Sequence, residues 1–231
     1  MIELLSGIII DFLIVTVSLL LVKKVKPNKN NLLNLAFGTF WVGVAGSYFF
    51  AGLADLSGII NSVYFSKLFF SLAIILAVMP FVSLALFLSA TSFKGKISYI
   101  LPTITAIISV FYIYFIATAK LIGPISGWTV KYVVKSSEAL LITQFSAYFA
   151  FIMVALLALL AFRSRKKSTF IQFNSVAVSM GLFFLAGYLD LLGNTEIGTI
   201  IIRGLIVIAA LIGYFGFSPG LKLMKLAHRF G

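Results

Sequence analysis

Apolar stretches of about 20 residues follow one another from end to end of this chain, parted only by short charged or Gly/Pro-containing breaks. In lipid no water is present to satisfy exposed backbone groups, so repeated stretches of this length specify helices whose hydrogen bonds are internal. The composition agrees, because only 10% of the 231 residues are charged, against about 25% in soluble domains. The fold class that follows is all-α: an integral membrane bundle of seven transmembrane helices. No stretch is long or polar enough for a separate soluble domain. The N-terminus lacks a basic n-region and a small-residue cleavage site, so residues 2–22 read as a retained first helix.

The spacing predicts spans at 2–22, 32–54, 66–92, 97–119, 138–162, 170–191 and 198–217. The connections then separate by charge. "KKVKPNKNN", "SFKGK", "RSRKK" and the tail together hold thirteen of the 18 basic residues, all on one side of the bundle. Lys67, Lys120, Lys131, Lys135 and Arg203 belong to the other side, with all six acids there or in the adjoining helix halves. The Lys/Arg bias places the N-terminus outside and the C-terminus in the cytoplasm, which an odd number of spans requires. Residues 1–217 form the transmembrane domain. After the breaker "SPG", residues 218–231 read as a short basic amphipathic tail on the inner leaflet, with Lys222, Lys225 and Arg229 on one face.

Several chemistries are disfavoured. There are no cysteines and one histidine, His228, near the end, so disulfides, thiolate sites and histidine-rich metal sites are not expected. The seventh span has no lysine, so a retinal Schiff base is not expected either. No Ser–His or Asp–Asp set suggests an enzyme, and no cofactor is expected. A net charge of +12 is explained by cytoplasmic loops in contact with a lipid bilayer, without nucleic acid.

The candidate binding residues lie in the half of the bundle that carries the acids. Asp11 interrupts "GIIIDFLIVTVSLLLV", and nine residues at 1.5 Å each bury it roughly 13 Å deep in a core about 30 Å thick. Arg203 lies roughly 8 Å deep in the last span. First and last helices of a closed bundle are commonly neighbours, so the two are expected to face inward and meet. Asp11 standing neutral in an apolar setting, or Arg203 reaching out to Asp190, Glu196 or lipid headgroups, are the competing outcomes. Asn34, Gly38, Trp41, Ala45 and Tyr48 recur at steps of three and four and share one helix face. That face suits either close helix packing or polar tips lining a cavity. Pro80 and Pro102 are candidate kinks. Trp128, Val130, Tyr132 and Val134 alternate after the turn signal "GPISG". They read either as a hairpin lid over an outer mouth rimmed by Asp55, Lys67, Asp190 and Glu196, or as an interfacial loop.

The segment "NKNNLLNLAFGTFWVGVAGSYF" resembles the N-terminal seven-helix region of bacterial and archaeal sensor histidine kinases. A basic loop leads there to an Asn, a Phe and a Trp in the second helix, here Asn34, Phe37 and Trp41. Gln172 opening the sixth span, the turn near "LLGN", and Tyr214 near the inner end of the last helix are similar too. The resemblance implies a receptor-like sensory module of the cell membrane that binds a small ligand in the outer half. The sequence given stops at Gly231, so no kinase or other output domain is expected. Signalling through a membrane or cytoplasmic partner, or use as a repurposed scaffold, is then implied, and a homo-oligomer is a further candidate assembly. A channel or transporter, and a non-catalytic subunit of a larger membrane complex, remain the alternatives at this point. The absence of an internal repeat lowers the transporter reading.

Overall fold

A computed structural model describes residues 2–27, 31–93, 95–118, 120–125, 131–163, 167–191 and 196–217. The chain forms α1 (Ile2–Val25), α2 (Leu32–Ile59), α3 (Val63–Leu76), α4 (Val78–Ser92), a 3-10 turn (Gly95–Tyr99) and α5 (Ile100–Thr118). A two-stranded antiparallel hairpin, β1 (Lys120–Ile125) and β2 (Lys131–Lys135), precedes α6 (Ser137–Phe162), α7 (Lys167–Leu191) and α8 (Glu196–Gly216). With α3 and α4 taken as one span, seven spans among the described residues are long and apolar enough to cross a membrane. The protein is thus a multi-pass helical membrane protein by length and composition.

The helices close into a ring. α1 packs on α2 and α8, α2 on α3 and α4, α4 on α5, α5 on α6, α6 on α7, and α7 on α8. The buried face of α1 reads Ile8, Asp11, Ile14, Ser18, Leu21 and Val25, at steps of three and four. Ile9, Leu13, Leu19 and Leu20 between them are exposed, as lipid-facing side chains are. α1 and α8 run parallel in a constant register, with Asp11 beside Arg203 and Leu21 beside Gly213. α1 and α2 run antiparallel, with Asp11 beside Gly52, and Asn34 Nδ2 donating to the Val25 carbonyl at 3.4 Å.

The third span is two helices. Pro80 has no N–H for the Leu76 carbonyl, and the break falls at Ala77. α2 accommodates it with Gly43, where a Cβ would stand 2.6 Å from both Met79 Cβ and Pro80 Cδ. Pro102 is no kink. It sits in the first turn of α5, directly after the 3-10 turn, where a missing N–H is tolerated.

The hairpin departs from a purely helical description. Gly123 and Pro124 of the turn signal "GPISG" belong to β1, where the register shifts between Ile122 and Ile125. A proline removes a ladder donor, so it is accommodated at such an irregularity. The strands lie beside α3, and β2 also beside α6.

The half of the bundle toward the basic loops is closed by aromatic rings. Phe37 stacks on Phe217 at 5.0 Å between centroids and tilts against Phe87 at 6.2 Å. Phe87 in turn meets Phe173, and Trp41 lies edge-on to Phe37. Lys24 ties the ends of α1 and α8 together there. Its ammonium donates to the Tyr214 carbonyl and lies 4.3 Å from the centre of the Tyr214 ring. A cation bonded to the last carbonyls of a helix also complements its dipole.

Candidate functional site

Away from the basic end, three helices bring charge into the core. Asp11 of α1 is 0% exposed, Asp55 of α2 1% and Arg203 of α8 5%. Arg203 Nη1 donates to Asp11 Oδ1 and stands 3.7 Å from Asp55 Oδ2. The first contact is a charge-assisted hydrogen bond. The second is an ion pair beyond direct hydrogen-bonding distance. The Tyr48 ring lies below the guanidinium, 5.8 Å from Arg203 Cζ, which is within cation–π range.

The local sequence explains the convergence. Tyr48, Gly52 and Asp55 fall four and three residues apart, so they continue the Asn34–Gly38–Trp41–Ala45 face of α2. Gly52 lets α1 approach, since a Cβ there would meet Asp11 Cβ at 3.5 Å and the Phe12 ring at 3.3 Å. The parallel register of α1 and α8 then sets Arg203 at the depth of Asp11. Intramembrane ionisable groups are expensive, and pairing reduces that cost. The arrangement joins the first, second and last helices through one guanidinium.

The expected meeting of Asp11 and Arg203 is therefore seen directly, without a bridging residue. Asp55 belongs to this cluster rather than to an outer rim. The step of seven from Tyr48 was the signal for that, because it turns Asp55 inward. Lys67 on α3 is exposed and is not part of the cluster. Trp41 is fully buried two turns away toward the basic end, among Phe37 and Phe40.

Trp128 lies outside the described residues. Tyr132 is described only as part of β2, and Asp190 and Glu196 only as helical positions of α7 and α8. The hairpin neighbours α3 and α6, whereas the charge cluster joins α1, α2 and α8. The amphipathic tail, residues 218–231, also lies outside the described residues. Compared with protein-family models, with curated proteins and with solved structures, the chain matches none.

Proposed function

We propose that this protein is a receptor-like sensory module of the cell membrane, with its N-terminus outside and its C-terminus in the cytoplasm. The observation that carries the reading is the buried Asp11–Arg203–Asp55 cluster, set in the half of the bundle opposite the basic loops. Buried intramembrane charges of this kind are a functional-site hypothesis by default. In this reading a small charged ligand enters from outside and competes for one side of the cluster. The resulting shift of α8 against α1 is passed to a partner near the basic end. The resemblance to the membrane regions of sensor histidine kinases supports the same assignment.

Orientation is tested with reporter fusions. Green fluorescent protein inserted at "RSRKK" is expected to fluoresce, and alkaline phosphatase inserted near "LLGN" to be active. Activity of the same reporter type at both positions would overturn the topology.

The ligand site is tested by thiol labelling, which is clean because the chain has no cysteine. Thr199 lies one turn from Arg203 toward the outside, and Ser18 two turns from Asp11 toward the inside. A receptor predicts that Thr199→Cys reacts with a membrane-impermeant maleimide added outside, and that Ser18→Cys reacts from neither side. Labelling of Ser18→Cys from the cytoplasmic side of inverted vesicles would establish transport-like access. Protection of both positions from both sides would leave a packing subunit.

A further inference from the structure

One layer inward from the charge cluster, two buried polar groups have no hydrogen-bond partner. They are the Ser18 hydroxyl of α1 and the Trp41 indole Nε1 of α2, both on residues that are 0% exposed. The helix registers bring them to one level. Asp11 lies beside Gly52 and Val25 beside Asn34, so Ser18, midway along α1, falls between Trp41 and Ala45 of α2. On α8 the register of Asp11 with Arg203 and Leu21 with Gly213 sets Ser18 level with Ala210. α7 completes the layer through Ser179, whose hydroxyl donates to the Ala209 carbonyl at 2.7 Å. Ala45, Ala209 and Ala210 are small, and all are buried.

An indole N–H can only donate, whereas a hydroxyl can donate or accept. Buried polar groups are paired in nearly all folded proteins, by protein or by an ordered molecule. We propose that Ser18 and Trp41 form an internal binding site for a hydrogen-bond acceptor oxygen, which accepts from Trp41 Nε1 and exchanges a hydrogen bond with Ser18. The oxygen belongs to a water molecule or to the acceptor end of a small ligand. The site lies between the charge cluster and the aromatic closure around Phe37, and extends the polar interior past Tyr48 toward the basic end. It stands whether or not the cluster itself binds a ligand.

The test uses the full chain in lipid nanodiscs, labelled with 15N at tryptophan. Trp41 and Trp128 are its two tryptophans, so two indole signals result, and Trp128→Phe assigns them. A cross-peak between the Trp41 indole proton and water is expected if water is the occupant. It should be lost in Ser18→Ala and retained in Ser18→Thr, which keeps the hydroxyl. If a ligand is the occupant, the indole proton lies at a downfield, hydrogen-bonded position without a water cross-peak, and moves upfield after exhaustive detergent exchange. A Trp41 indole proton at the unbonded position with no water cross-peak overturns the proposal. So does a cross-peak that Ser18→Ala leaves unchanged. The wild-type spectrum alone decides for Trp41 if either serine variant fails to fold.

Discussion

Exchanging the charges of Asp11 and Arg203 is expected to restore much of the folded protein that either reversal alone removes. Breaking a buried pair leaves an uncompensated charge and costs about 3–5 kcal/mol. At about 1.4 kcal/mol per decade, that lowers the ratio of folded to unfolded protein by more than a hundredfold. Asp11→Arg sets two guanidiniums beside Asp55, and Arg203→Asp gathers three carboxylates in one buried site. Both singles should therefore give little monodisperse protein in detergent. The double variant again has one guanidinium between α1 and α8, with Asp55 near it, and should recover a substantial part of the wild-type yield. Asp11→Asn should be milder than Asp11→Arg, because it keeps a hydrogen-bond acceptor for Arg203. A double variant as poor as the product of the two single effects would show that the contact between Asp11 and Arg203 does not support the bundle.

The second large effect is steric. Gly216 of α8 faces Ser175 of α7 so closely that a Cβ at Gly216 would overlap the Ser175 side chain. One turn earlier, a Cβ at Gly213 would stand 2.7 Å from Ser179 Oγ and 3.2 Å from Phe37 Cζ. Small residues let membrane helices pack backbone to backbone, which is where their association energy arises. Gly216→Ala should therefore lower the thermal midpoint in detergent, by an overpacking cost of about 1–3 kcal/mol. Ser175→Gly removes the obstructing atoms and should recover part of that loss in the double variant, despite a helix-propensity cost of about 1 kcal/mol. If the two losses simply add, α7 and α8 are not in contact at this pair.

Much of this protein is legible in its sequence, and for physical reasons. Seven spans follow from the lengths of the apolar runs, because lipid leaves the backbone no alternative. Asp11 and Arg203 stood out as an expected pair, since a lone charge at that depth is costly, but a neutral Asp11 or an outward-reaching Arg203 satisfied the sequence as well, and the contact itself is a tertiary fact. The steps of three and four on α2 picked out Gly38, Trp41, Ala45 and Tyr48, which are buried, but Phe37, Phe40 and Val44 off that face are buried too, because α1, α3 and α4 all pack on this helix. The tertiary structure decided what depends on neighbours. Asp55 turns toward Arg203 because Gly52 admits α1 beside it, and composition says nothing of that approach. Pro80 interrupts its span with the whole of α3 before it and Gly43 opposite it, whereas Pro102 sits in the first turn of α5, directly after the 3-10 turn. Ser18 and Trp41 lie on different helices, 23 residues apart, and only the registers set by Asp11, Gly52, Asn34 and Gly213 bring them to the same layer. Periodicity tells which side of a helix is inward; which inward groups share a level is determined by how far each helix slides against the next.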